Sequence, residues 1–209
     1  MSTSWFKSLV DRFGGKAADP AAEERAAKVR AFRAAVTRDL RDLDDPSPGD
    51  RAVLEALMRM PEEQGLPDDE VELETEALQG ALDVIALKET VAAGGLPMIE
   101  HQHRALGTDR VHFVASAFLA SDGSDRTGRL FLTNRRLVFV TTPMVAVSWS
   151  GILTIEQQSR DLVITTTGRD SLFQFRCNSF SDARCGAFIA RQLKRGNTAT
   201  PAGDPPSSR

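Results

Sequence analysis

From about residue 108 onward, apolar residues recur with period two, in short runs whose connections are too brief for any crossover. The runs are Val111 to Leu119, Arg129 to Thr133, Arg136 to Thr142, Met144 to Trp149, Ile152 to Gln157, Asp161 to Thr167 and Ser171 to Cys177, seven in fewer than seventy residues. Parallel neighbours need about a dozen or more linking residues, so these runs can pair only antiparallel. Asn134-Arg135 is a two-residue turn in which Asn tolerates a left-handed backbone, and Thr167-Gly168-Arg169-Asp170 signals a second turn. Ser179-Phe180-Ser181-Asp182 then has the spacing of a capping box. It opens a last helix to about Arg195, with Phe180, Ala187, Phe188 and Leu193 available to cover apolar surface.

Before residue 96 the period is helical. Asp19-Pro20 supplies a cap and a first-turn proline, and Ala22, Ala26, Val29, Phe32, Val36, Leu40 and Leu43 predict an amphipathic helix ending near Asp44. A shorter helix carries Val53, Leu54, Leu57 and Met58 and is expected to stop at Pro61. A third runs from about Asp68 to Ala93, and its acidic opening suits the positive end of the helix dipole. Ahead of these, residues 1 to 16 place Trp5, Phe6, Leu9, Val10 and Phe13 on one face of a short helix. So short a helix forms only against something apolar, either the protein's own body or a membrane. The proline-rich stretch after Asn197 reads as a disordered tail. The domain organisation expected is a 1–16 amphipathic segment, a 17–95 acidic helical region, a 107–196 strand-rich domain and a 197–209 tail.

Charge divides with the period. Residues 1 to 105 hold 13 Lys+Arg against 21 Asp+Glu, a balance of −8, and residues 106 to 209 hold 13 against 8, a balance of +5. From Asp44 to Glu76 there are 12 acids and two arginines. Opposite fields on one chain favour contact, so the acidic helices are expected to rest on the basic half and mask it. No apolar stretch approaches the roughly 20 residues that span a bilayer. Asp11 and Arg12 interrupt the opening apolar run, which argues against a secretory signal.

Catalytic constellations are not evident. His101, His103 and His112 form the histidine cluster, but the two cysteines lie more than sixty residues beyond it, too far for metal-ligand spacing. Cys177 and Cys185 suit two small buried hydrophobes, although Arg176 and Arg184 beside them leave a reactive thiol to be considered. Asp68-Asp69-Glu70 is explained by helix capping, and no phosphate-cradling glycine loop or G-x-S-x-G elbow occurs. No enzyme activity, metal or cofactor is expected. The absence of tyrosine and the acidic balance argue against nucleic acid as partner.

Gly128-Arg129-Leu130-Phe131-Leu132-Thr133-Asn134-Arg135-Arg136-Leu137-Val138-Phe139 is similar to the second hairpin of GRAM-type and bacterial PH-like domains. Val147-Ser148-Trp149-Ser150-Gly151-Ile152 resembles the next signature of that family, with Gly151 where an acidic residue is common. The likeness covers roughly residues 107 to 195. It implies a PH-like seven-stranded antiparallel barrel capped by a C-terminal helix, and the helical period before residue 96 makes the expected fold α+β, an N-terminal α-helical segment followed by that barrel. Leu130, Leu132, Leu137 and Phe139 then alternate into the barrel interior.

For function, the resemblance implies a binding module. On a membrane reading, a peripheral adaptor on the cytoplasmic inner face would meet anionic lipid headgroups through Arg126, Arg129, Arg135 and Arg169, with Trp5, Phe6, Leu9 and Phe13 as a second membrane or partner contact. Asp122 and Asp125, in the first inter-strand loop, depart from the basic loop of phosphoinositide-binding relatives. The alternative is a cytoplasmic protein-interaction scaffold that uses the barrel edge or the groove beside the last helix.

Overall fold

The computed structural model describes residues 19–41, 43, 45–101, 103–120, 125–167 and 172–198. Helices α1 (Pro20–Arg41), α2 (Arg51–Gln64) and α3 (Asp68–Gly94) precede strands β1 (Val111–Ala120), β2 (Arg126–Thr133), β3 (Arg136–Val140), β4 (Val145–Ser148), β5 (Ile152–Gln158), β6 (Asp161–Thr166) and β7 (Leu172–Cys177), and α4 (Phe180–Thr198) closes the order. The strands form one sheet in the order β4-β3-β2-β1-β7-β6-β5, antiparallel throughout. This is the α+β architecture that the two periods predict. The segment 1–16 and the tail from residue 199 lie outside the described residues.

Local chemistry explains the helix ends. Asp19 Oδ1 accepts the Ala21 N–H at 3.1 Å, capping α1, which ends at Arg41, short of the expected Asp44. Pro61 does not stop α2, contrary to expectation. The helix runs on to Gln64 and ends where Gly65 turns left-handed at φ 63°. Proline this close to a C-terminus removes one intrahelical bond, and burial of the Pro61 ring offsets that loss. The three helices bury Val29, Phe32, Val36, Leu54, Leu57, Leu78 and Ile85 in one cluster.

The sheet curls around its own core. One cluster unites Ala115 from β1, Leu130 from β2, Phe139 from β3, Ile155 from β5, Leu162 from β6 and Phe175 from β7 with Ala187 and Leu193 of α4. Leu130, Leu132, Leu137 and Phe139 are fully buried, as the alternation requires. The edge strands β4 and β5 do not pair with each other. Trp149, in the turn between them, fills the gap beneath α4.

Two residues on the opposite face of the β2–β3 hairpin, Phe131 and Val138, are buried just as completely. Alternation alone puts them in water. A strap over residues 96–110 covers them, joined to β1 by the Ile99–Val111 bridge and sealed by Leu106. The three histidines fasten this strap. His103 Nδ1 accepts the Ala105 N–H at 3.2 Å, the His112 ring bonds Pro97 O at 2.8 Å, and the His101 ring stands edge-on to Phe131.

The helical half docks on the sheet half along α3 and α4. A Cβ on Gly80 would lie 2.9 Å from the Phe180 carbonyl carbon and 2.9 Å from Ser181 N, so the absent side chain sets the approach of the two helices. Glu76 Oε1 accepts the Phe180 N–H at 3.0 Å at the positive end of α4, and the same carboxylate pairs with Arg160. Contact between the acidic and basic halves therefore exists, but it is close helix packing with an ion pair at one end. Asp45, Glu55 and Glu74 of the acidic stretch instead pair with Lys88, Arg51 and Arg33 of the helical half itself.

Candidate functional site

Antiparallel register places the β1–β2, β3–β4 and β6–β7 connections at one end of the sheet and the β2–β3 and β5–β6 turns at the other. Arg126 opens β2 at the first end. It sits opposite buried Leu119 and so faces inward; its Nη1 donates to Pro143 O at 3.3 Å, and its buried Nε has no hydrogen-bond partner among the described residues. Arg129, in register with Ser116 and Val140, projects from the outer face and is exposed. Arg135 stands at the β2–β3 turn, beyond the far end of a strand that spans about 23 Å from Arg126 at the usual rise of about 3.3 Å per residue. Its guanidinium lies 3.8 Å from Asp109. These three arginines do not converge on one site. Arg169, Trp5, Phe6, Leu9 and Phe13 lie outside the described residues.

A second concentration of cations was not evident from spacing alone. Arg191, Lys194 and Arg195 occupy the i, i+3 and i+4 positions of α4, and with Ile155 they line a cleft of about 230 Å³ against β5. Arg191 Nε donates to Ile155 O at 3.1 Å, and Lys194 Nζ donates to Leu153 O. Those carbonyls belong to the unpaired edge of β5, so the two side chains staple the edge and close it to an added strand. Half-exposed Leu153 lies beside the staple. The signal in the sequence was the helical spacing of the three cations, which a solvated face explains equally well until β5 is placed against them. A depression at Asp45, Pro46 and Arg184 has only about 10 Å³, the room of a single water.

Neither cysteine sits in an electropositive niche of the kind that makes a nucleophile. Burial pushes the Cys177 thiol up to about 12, with Asp182 and Asp161 adding to the rise. Burial likewise takes Cys185 to about 11, against the opposing effects of a Ser181 hydrogen bond and the Arg184 charge. Both thiols are therefore protonated at neutral pH. Iodoacetamide at neutral pH should leave the native chain unmodified and label both residues once denaturant is added; fast native labelling would contradict the burial. Because the folded values lie above the unfolded ones, the stabilisation is complete below about pH 8.5 and is lost as pH rises through the folded values. The denaturation midpoint should fall between about pH 9 and pH 12.

No protein-family model and no curated protein matches the chain. Among solved structures, the C-terminal domain of an unknown protein from Leishmania infantum is similar at 15% identity, over 43% of this chain and 88% of that one, with a TM-score of 0.36. Inner membrane complex sub-compartment protein 3 from Toxoplasma gondii is similar at 10% identity, over 41% and 77%, with a TM-score of 0.35. The DH/PH fragment of PDZRHOGEF, solved in complex with human RhoA, is similar at 11% identity, over 70% and 51%, with a TM-score of 0.37. The fold described above rests on the strand order and core of this chain itself.

Proposed function

We propose that the chain is a non-enzymatic binding module that acts as a peripheral adaptor on an anionic membrane surface. The observation that carries this reading is Arg126, a half-buried cation at the loop end of the sheet whose Nε has no acceptor among the described residues. A buried donor left unmet costs about 1–3 kcal/mol, and a headgroup oxygen arriving at that end would remove the cost. The stripe of Trp5, Phe6, Leu9 and Phe13 supplies a second contact, with Arg129, Arg135 and Arg169 adding long-range attraction. Stable attachment takes two such signals, since one weak anchor binds reversibly. On this reading the chain works at the inner, cytoplasmic membrane face. On the protein-scaffold alternative, the edge open to an added strand is that of β4, since the β5 edge beside α4 is stapled by Arg191 and Lys194.

Co-sedimentation with phosphatidylcholine vesicles, with and without phosphatidylserine, tests the reading. Binding is expected only with the acidic lipid, weakened about tenfold by Arg126→Gln. Joint substitution of Trp5 and Phe6 by Ala should weaken it further. A folded chain that ignores acidic vesicles in an assay where it captures a protein partner would transfer the assignment to the scaffold.

A further inference from the structure

The two edges of the sheet are built differently. That of β5 is stapled by Arg191 and Lys194, which donate to Ile155 O and Leu153 O. That of β4 has no partner strand among the described residues. An open edge is a template for another strand, and folds commonly blunt it with charge, proline or a bulge. None of these lies within the paired run of β4: Val145-Ala146-Val147-Ser148 is uncharged, and its register with β3 runs without a shift. Pro143 stands outside that run, so the strand's own protection is its length of four residues.

What the strand carries decides the occupant. Val145 and Val147 are half-buried against the core of the sheet, and Ala146 and Ser148 stand exposed on the outer face. Around Ala146 the sequence is the same in both directions, Val-Ala-Val. Two copies laid antiparallel about a two-fold axis at Ala146 therefore set Val145 of each beside Val147 of the other on one face, and Ala146 beside Ala146 on the opposite face. A self-complementary seam brings each residue near its own symmetry mate, so like charge is what it tolerates least. The strand brings no charge, and Arg136, the cation of neighbouring β3, is already paired with Asp109 at 2.8 Å. Recognition of an unrelated peptide at an edge depends on side chains that discriminate, which Val, Ala and Ser supply poorly.

We infer that β4 is a self-association edge, at which two copies of this chain pair antiparallel through Val145–Ser148 with Ala146 at the two-fold axis and join their sheets into one. Four residues a side is far below the roughly 20–30 of a standard interface, so the dimer is weak and reversible. It needs no membrane and stands apart from the function proposed above.

The test uses the full chain without lipid. Sedimentation equilibrium from about 10 μM to about 1 mM, the range in which a weak seam is read, should show monomer–dimer exchange. Raising salt from about 0.1 M to about 1 M should leave the exchange unchanged, because the seam contains no ion pair. Ala146→Lys, at an exposed position, sets like charges face to face and should weaken association at least about tenfold with the circular dichroism spectrum unchanged. Leu153→Lys, half-exposed beside the stapled β5 edge, should associate like the native chain. Ala146→Cys reads the register. Facing Cα atoms of antiparallel strands stand about 4.5–5.5 Å apart, inside the roughly 4.4–6.8 Å of a disulfide, so mild oxidation should link two chains. The link should form much faster than in Ser116→Cys, an exposed position on the outer face of β1. The inference is overturned if the chain stays monomeric to the highest concentration, if Ala146→Lys associates like the native chain, if Leu153→Lys abolishes association, or if Ala146→Cys links no faster than Ser116→Cys. Dissolution of the dimer by salt also overturns it, because that outcome assigns association to the acidic helices of one copy against the basic half of another. No arm uses vesicles, so failure here leaves the membrane reading standing.

Discussion

Trp149→Ala should destabilise the chain by about 3–5 kcal/mol, the range for deleting a large aromatic from a packed core. Trp149 is 1% exposed and occupies the turn where the chain leaves edge strand β4 to begin edge strand β5. Since no ladder joins those edges, the indole substitutes for the missing hydrogen-bonded closure. It is also tied at its polar end, where Nε1 donates to Thr133 O at 2.8 Å across the β2–β3 turn. Deleting the ring therefore opens a cavity and strips a buried carbonyl of its partner. Trp149→Phe separates the two effects, because most of the volume stays while the donor goes, at an expected loss of about 1–3 kcal/mol. Guanidinium denaturation followed by far-ultraviolet circular dichroism reads both losses. A Trp149→Ala loss below about 1 kcal/mol would mean that the sheet closes by other contacts.

The same network shows what the hairpin motif encodes. Thr133 Oγ1 accepts the Arg135 and Arg136 N–H groups at 3.2 and 3.0 Å and donates to Arg136 O at 2.8 Å, closing the turn from within. Asn134 exchanges hydrogen bonds with Arg110, its N–H to Arg110 O and its Oδ1 from Arg110 N–H, each at 2.9 Å. Thr-Asn is thus a fastener between the hairpin and the segment leading into β1. The residues that carry the family likeness are there for turn geometry and closure, and for that reason they speak to fold more strongly than to ligand.

Local periodicity made the strands and helices legible because each is decided within a few residues: alternation for Leu130 and Leu132, three-four spacing for Val29, Phe32 and Val36. Features decided by distant chain segments were not legible. Phe131 and Val138 alternate outward, and nothing local says that a strap from residues 96–110 will cover them. Pro61 looks like a stop, and only burial among the neighbouring helices shows why α2 continues. The β5 staple is likewise non-local, since Arg191 and Ile155 are 36 residues apart. Arg126, Arg129 and Arg135, expected near one barrel rim, spread instead along β2, because an extended strand carries Arg126 and Arg135 to opposite ends of the sheet.

Phe139→Ala should cost about 3–5 kcal/mol, and Gly128→Ala about 1–3 kcal/mol or more, while Arg135→Ala, at a turn and 67% exposed at its side chain, should cost less than about 1 kcal/mol. The first two residues share one space. A Cβ on Gly128 would lie 2.9 Å from Cζ of the Phe139 ring, which fills the volume that the glycine leaves open. If that ring were the chief obstacle, Phe139→Leu would make room and rescue Gly128→Ala. A worse contact decides otherwise, because the same Cβ would lie 2.3 Å from Val140 O, a backbone atom held in the β2–β3 ladder that cannot rotate away. The double substitution should therefore be no more stable than Gly128→Ala alone, with the two losses close to additive or worse. Denaturation midpoints at unchanged m-values measure the four chains. Recovery of most of the Gly128→Ala loss in the double variant would show that the ring, not the ladder, demands glycine at this position, and would place β2 and β3 farther apart than the register puts them.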